Sequence, residues 1–208
     1  PCAAVPELPG GTLKGQATCQ NIGNHQVVHG PSLAVYLNIP GAGLILGIKI
    51  AAGCCFSSRC PRLTHSRSLN GDRCLIGVIG LLVHIEAAGI AAERIVLGGF
   101  SQGACLASEF VARNARRYGG LLVFSGGLIG PPGTPRDYSG NLAGTPIFLG
   151  CSDSDPHIPK ERVEESAEVF ERMGATVTKK LYPSIGHTIV PDEIKLAREI
   201  VRAVDSQG

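Results

Sequence analysis

The distribution of apolar and polar positions divides the chain near residue 73. Beyond that point, short apolar runs alternate with longer segments in which apolar residues recur every three or four positions. Strands that alternate with amphipathic helices are typical of a parallel sheet covered by helices. The sequence therefore predicts an α/β fold with a mostly parallel central sheet and helices on both of its faces.

Individual elements are predicted from periodicity and from residues that begin and end helices. The helix that starts near Pro159 carries Val163, Ala167 and Phe170 on one face and is followed by Gly174. Proline at the start and glycine after the end are typical helix boundaries. By the same reasoning the sequence predicts further helices over 73–88, 102–117 and 191–204, and strands over 95–98, 121–125, 146–150 and 175–182.

The first seventy residues have a different character. They contain Glu7 as their single acidic residue, against 17 in the whole chain, yet they contain five of the eight cysteines. Strands are predicted at 33–37 and 44–50, and residues 61–72 have the composition of a loop. Two explanations fit: a separate lid-like element, or a stretch around 15–75 whose reading frame was disturbed, since local sequence normally agrees with the fold. We expect one domain over 1–208, with 1–72 atypical.

Composition excludes several classes of partner. A net charge of +2 without a basic cluster argues against nucleic-acid binding. The longest apolar tract, 41–56, is interrupted by Lys49 and is shorter than the roughly 20 residues that a membrane span needs. Residues 1–6 lack the basic start and apolar core of a secretory signal, so a cytoplasmic protein is expected, as a monomer or homodimer.

The eight cysteines are expected to be free thiols. A chain that is 44% hydrophobic can build a core without disulfides, and Cys105 and Cys151 are typical small buried residues. The cluster Cys54, Cys55 and Cys60 lacks the spacing of a zinc site. No metal is expected.

The segment G-F-S-Q-G at 99–103 follows an apolar strand and opens a helix. In that setting G-x-S-x-G predicts a nucleophile elbow, in which a sharp turn exposes the hydroxyl of Ser101. The free N–H groups at the start of the helix, that of Gln102 among them, would then face an oxyanion that forms beside the serine.

A serine nucleophile needs a base and a carboxylate that orients it. Two acids, Asp153 and Asp155, follow a buried strand directly, and His187 lies between the last strand and the last helix. The order serine, aspartate, histidine is that of the α/β-hydrolases. Either aspartate could fill the acidic role. His157 is interpreted as a solvated surface residue, and His84 as a packed residue within a helix.

Residues 73–208 resemble the phospholipase/carboxylesterase family of α/β-hydrolases, which includes acyl-protein thioesterases. The matching stretches are R-I-V-L-G-G-F-S-Q-G-A at 94–104, F-S-G-G-L at 124–128, D-P-H-I-P at 155–159 and G-H at 186–187. The resemblance implies that Ser101 is the nucleophile, His187 the general base and then acid, and Asp155 the orienting carboxylate. It also implies a backbone oxyanion donor at Gln102, a small ester or thioester substrate and no cofactor.

The first half departs from the family pattern. Members carry a strand that ends in Leu-His-Gly-x-Gly, whose loop supplies the second oxyanion N–H, whereas this chain has V-V-H-G-P at 27–31. His29 or Gly30 is the candidate for that donor. Loss of one donor costs about 2.7–4 kcal/mol of transition-state stabilisation. The expected function is that of a serine carboxylesterase, and the alternative is a catalytically impaired binding scaffold of the same fold.

Overall fold

The computed structural model describes residues 32–39, 42–49 and 69–206. Within these ranges the strands are β1 (Ser32–Ile39), β2 (Ala42–Lys49), β3 (Ile95–Phe100), β4 (Gly120–Phe124), β5 (Pro146–Ser152) and β6 (Thr176–Tyr182). The α-helices are α1 (Leu69–Ala87), α2 (Gln102–Arg113), α3 (Lys160–Arg172) and α4 (Pro191–Asp205). A short 3-10 turn at Ala92–Arg94 leads into β3.

The strands form one sheet in the order β2-β1-β3-β4-β5-β6. Strands β3 to β6 are parallel, whereas β1 runs antiparallel to both β2 and β3. The sheet is therefore mostly parallel, as predicted. Because parallel strands end at the same edge, the segments that follow β3, β5 and β6 meet there.

Side chains along the central strands alternate between the two faces of the sheet, as the period of a β-strand requires. On one face, Leu121 and Val123 belong to a large apolar core that includes residues of α1, α2 and α3. On the opposite face, Phe124 and Phe148 pack with Ala197 of α4. Helices thus cover both faces, which confirms that part of the prediction.

The predicted elements are present, and their ends differ by a few residues. Helix α2 ends at Arg113 instead of near residue 117, because the amide of Asn114 donates to the carbonyl oxygen of Phe110 at 2.9 Å. A side chain that bonds to the last turn competes with continuation of the helix. Helix α1 begins at Leu69, before the predicted start, in a stretch whose Asn and Gly content concealed it.

The chain that leaves β4 is held by side chains from two helices. The N–H of Leu128 donates to Ser166 Oγ at 2.8 Å, and its carbonyl oxygen accepts from Arg162 at 2.9 Å. The N–H of Ile129 donates to the buried carboxylate of Glu109 at 3.1 Å. Backbone groups away from regular structure need such partners when they are buried. These bonds fix the segment next to the serine turn.

None of the helices in the described ranges is long and apolar enough to cross a membrane.

Candidate active site

Ser101 lies on a sharp turn between β3 and α2. Its backbone has φ 54° and ψ −118°, in a region that non-glycine residues rarely adopt. Its N–H donates to the carbonyl oxygen of Phe124 at 2.9 Å, which ties the turn to β4. Strain of this kind persists only where the surrounding structure enforces it, and it is concentrated at functional sites.

The turn depends on the glycine two positions before the serine. A Cβ atom at Gly99 would lie 2.4 Å from the carbonyl carbon of Gly103 and 2.6 Å from the nitrogen of Ala104. Contacts this short to backbone atoms cannot be relieved by a side-chain rotation. The start of α2 therefore packs directly on the end of β3, which confirms the predicted strand–turn–helix arrangement.

The N-terminus of α2 begins immediately after Ser101. Gln102 is its first residue, and the first intrahelical bond at this end runs from the N–H of Cys105 to the carbonyl oxygen of Ser101 at 3.0 Å. The first N–H groups of a helix have no carbonyl partner within it, and the helix dipole makes this end positive. Both the free N–H groups and the positive end of the helix dipole would stabilise an anion that forms beside Ser101.

Two more of the predicted residues meet through a hydrogen bond. His187 Nδ1 lies 2.7 Å from Asp155 Oδ2. The Asp155 side chain is fully buried, whereas 18% of the His187 side chain is exposed. Asp155 follows β5 and His187 follows β6, so the parallel sheet brings the two together although 32 positions separate them.

The remaining bonds to Asp155 keep it ionised. Its Oδ1 accepts from the N–H groups of His157 at 2.8 Å and Ile158 at 3.0 Å. Burial favours the neutral form, but these bonds and the bond to His187 outweigh that effect and hold the pKa of Asp155 below its usual value. The carboxylate is therefore a charged acceptor for a histidine N–H.

A thiol adds a weaker contact to the same carboxylate. Cys151 Sγ lies 3.7 Å from Asp155 Oδ2, within reach of a weak S–H donor. Burial raises the pKa of Cys151 to about 12, and the negative charge of Asp155 adds to that shift. The thiol therefore remains protonated.

The loop that carries His187 is anchored to the end of β5. The N–H of Gly186 donates to Ser152 Oγ at 3.2 Å, and the N–H of Ser184 donates to Asp153 Oδ1 at 2.8 Å. Asp153 in turn donates its own N–H to the carbonyl oxygen of Tyr182 at 2.9 Å. Of the two candidate aspartates, Asp155 contacts His187 and Asp153 holds the loop.

Two rings lie against His187. The centroid of the Phe100 ring is 4.7 Å from that of His187, with the planes tilted by 40°. The centroid of the His157 ring is 4.8 Å away, edge-on at 76°. His157 is exposed, as predicted, but its description as a solvated surface residue overlooked this contact.

Other sequence predictions have mixed outcomes. His84 was predicted to be packed, and that prediction is wrong, because the residue is exposed. It lies on the outer side of α1, where its Nδ1 is 2.7 Å from the carbonyl oxygen of Gly80. Cys105 and Cys151 are buried free thiols, as predicted. His29 and Gly30 lie outside the described residues. Among the residues that the structure describes, no group of three or more potential ligands could hold a metal ion.

The far end of the histidine loop is held by a buried carboxyl group that sequence reasoning missed. Glu193 Oε2 accepts from the N–H of Val190 at 2.7 Å, whereas Oε1 accepts no bond from the described residues. A Cβ at Gly150 would lie 2.1 Å from Oε1, so glycine at that position makes room for the carboxyl group. Burial raises the pKa of Glu193, against the lowering effect of the Val190 bond, and the charge of Asp192 raises it further.

The raised pKa of Glu193 has a consequence for stability. The protonated form stabilises the fold fully below the ordinary value of 4.5, and that contribution is lost as the pH rises through the folded-state pKa. We therefore expect Glu193→Gln to be more stable than the wild type at pH 8, by on the order of 1 kcal/mol, with the difference shrinking toward pH 4.5. Urea denaturation at the two pH values measures it.

Asp192 provides the contrast, because its pKa is lowered by hydrogen bonds from Lys180 and Tyr182. Its charged form stabilises the fold above the ordinary carboxyl range, and that contribution is lost as the pH falls. Asp192→Asn should therefore lower stability at pH 8 where Glu193→Gln raises it. A Glu193→Gln protein that is less stable than the wild type at pH 8 would contradict this account.

A mostly parallel sheet with helices on both faces, and a serine turn between its strand β3 and helix α2, is the architecture of the α/β-hydrolases. The model of the phospholipase/carboxylesterase family matches residues 77–204. The chain belongs to that family.

Solved structures agree with this assignment. A phospholipase/carboxylesterase from Dyadobacter fermentans is 36% identical, with a TM-score of 0.69, and the match covers 80% of this chain and 79% of that one. The Bacillus cereus carboxylesterase has the same fold with a TM-score of 0.63 at 18% identity, and the match covers 80% and 78% of the two chains.

Curated relatives match over a shorter length. Acyl-protein thioesterase 1 of Gibberella zeae is 34% identical over 120 residues, which are 55% of this chain and 50% of the relative. Acyl-protein thioesterase 1 of Saccharomyces cerevisiae is 33% identical over 127 residues, or 57% and 53%. The chain spans about half the length of the curated relatives that it matches.

Proposed function

We propose that this protein is a serine hydrolase that cleaves carboxylic esters or thioesters through an acyl-enzyme on Ser101. The observation that carries the proposal is the 2.7 Å contact of His187 with Asp155 at the sheet edge where Ser101 occupies its strained turn. Family membership and the similarity to thioesterases and carboxylesterases support it.

In the proposed reaction Ser101 Oγ attacks the acyl carbonyl carbon while His187 takes the hydroxyl proton. The carboxylate of Asp155 accepts a hydrogen bond from Nδ1, so that Nε2 is left free to act as the base. It also stabilises the imidazolium that forms. The N–H of Gln102 is the proposed donor to the oxyanion. His187 then protonates the departing alcohol or thiol, and water cleaves the acyl-enzyme by the same steps.

The geometry supports Asp155 over Asp153 for the orienting role. The Asp155 side chain is buried and accepts hydrogen bonds from His187 and from two backbone N–H groups. Asp153 is exposed, and its carboxylate accepts from the N–H of Ser184. A second oxyanion donor at His29 or Gly30 remains a proposal from the sequence.

Labelling with a fluorophosphonate probe tests the function directly. The probe phosphonylates a serine only where a nucleophile, a base and an oxyanion site act together, and peptide mapping then identifies the modified residue. We expect stoichiometric labelling at Ser101. A folded protein that is not labelled there would contradict the proposal and favour the alternative of a binding scaffold with an incomplete oxyanion site.

A further inference from the structure

Two aromatic rings lie against the imidazole of His187, and each belongs to a residue close in sequence to Ser101 or to Asp155. Phe100 directly precedes Ser101, and His157 lies two positions after Asp155. The ring centroids lie 4.7 Å and 4.8 Å from that of His187. Phe100 ends strand β3 and packs with apolar residues of the α4 face. His157, by contrast, is exposed, so its ring gains little from burial.

The backbone of His157 helps to hold Asp155, because its N–H donates to Asp155 Oδ1 at 2.8 Å. That bond needs no particular side chain at position 157. It does fix the Cα of His157 beside the carboxylate, so the attached ring reaches the imidazole of His187. The edge-on angle of 76° is a favoured arrangement for a pair of aromatic rings.

A single hydrogen bond at Nδ1 fixes one atom of the His187 ring. Within what that bond tolerates, the imidazole can still change its tilt by rotation about the Cα–Cβ and Cβ–Cγ bonds, and such a rotation would displace Nε2. Contacts against the ring remove that freedom. The Phe100 ring restricts the imidazole, and since 18% of the His187 side chain is exposed, the contact from His157 restricts it further.

We infer that His157 is a positioning residue, whose ring holds the imidazole of His187 in the orientation that directs Nε2 toward Ser101. This inference rests on the proposed function. An edge-on aromatic contact favours the bound orientation by about 2- to 10-fold, and we expect a loss of that size in kcat when the ring is removed. KM should not change, because His157 acts through His187 and not on the substrate.

The experiment compares His157→Phe, which keeps a ring, with His157→Gln and His157→Ala, which do not. Hydrolysis of p-nitrophenyl acetate gives kcat and KM for each variant. His84→Ala is the matched control, since His84 is also an exposed histidine but lies on the outer side of α1. We expect His157→Phe and His84→Ala to retain wild-type kcat, and His157→Gln and His157→Ala to lose about 2- to 10-fold.

Retention of full kcat by His157→Gln and His157→Ala would overturn the inference, as would an equal loss in His157→Phe, because a ring would then not be the requirement. A change confined to KM would assign the residue to substrate contact instead and would also overturn it.

A second measurement does not depend on activity. The proton shared by His187 Nδ1 and Asp155 should give a low-field NMR signal that persists in His157→Phe and broadens through exchange in His157→Ala. A wild-type protein that shows this signal but hydrolyses neither p-nitrophenyl acetate nor an acyl thioester would disprove the proposed function, whereas the signal in the variants would still report whether His157 orders the His187 ring. An unchanged signal in His157→Ala would overturn the positioning role alone.

Discussion

Replacement of Ser101 by alanine should abolish ester hydrolysis, with kcat falling by roughly 10⁴-fold or more. The substitution removes the atom that is proposed to attack the carbonyl and leaves the rest of the site in place. We expect the fold to survive, because the Ser101 side chain makes no capping hydrogen bond to α2 and alanine retains the Cβ that the backbone already accommodates. Hydrolysis of p-nitrophenyl acetate, with circular dichroism for the fold, gives both results.

Ser184→Ala is the matched control. Ser184 is also a serine with a left-handed backbone, φ 51°, and it lies in the loop that carries His187. It contributes its backbone N–H to the loop anchor, which alanine keeps. Its variant should retain wild-type activity. If Ser101→Ala still hydrolysed the ester at a comparable rate, the proposed nucleophile would be wrong.

Asp155→Asn should reduce kcat by roughly 10³- to 10⁴-fold while leaving the histidine in place. A carboxylate accepts a hydrogen bond from Nδ1 and so keeps Nε2 free as the base. An amide that donates its N–H to Nδ1 would hold the wrong tautomer, and the imidazolium would lose its neighbouring charge. The pH-independent kcat for p-nitrophenyl acetate measures the loss.

Asp153→Asn serves as the comparison, because the same change is made two residues away. Asp153 accepts from the N–H of Ser184, and an amide oxygen can accept that bond equally well. We therefore expect an effect of less than about 10-fold, since the loop anchor survives and no contact to His187 is lost. The reverse order of the two effects would move the orienting role to Asp153.

The serine turn could be predicted from local sequence because all of its requirements are local. A buried strand, a glycine two residues before the serine and a helix immediately after it lie within one short stretch, 95–113. The close approach at Gly99 shows why that glycine is needed.

The choice between Asp153 and Asp155 could not be made from local structure in the same way. Both follow the same strand, so their position left either open, and the resemblance to the family favoured Asp155.

Three contributors to the site could not be found from the sequence. The ring of His157 meets a histidine 30 positions away, the thiol of Cys151 points at a carboxylate in the next loop, and Glu193 occupies space opened by Gly150. The contacts of His157 and Glu193 depend on which segments the sheet places side by side, and the contact of Cys151 depends on how the chain turns after β5. The surface character of His157 and the apolar character of Cys151 were correct locally and gave no signal of these contacts.

The amino-acid sequence was enough to predict the order of elements, the serine turn and the candidate catalytic residues Ser101, Asp155 and His187. Hydrophobic periodicity and glycine placement act over a few residues, so they can be read without the fold. The folded structure was needed to show that Asp155 Oδ2 contacts His187 Nδ1 and that the rings of Phe100 and His157 lie against the imidazole. Parallel strand pairing brings residues far apart in the chain to one edge of the sheet, and the hydrogen-bond distances between them exist only once that sheet has formed.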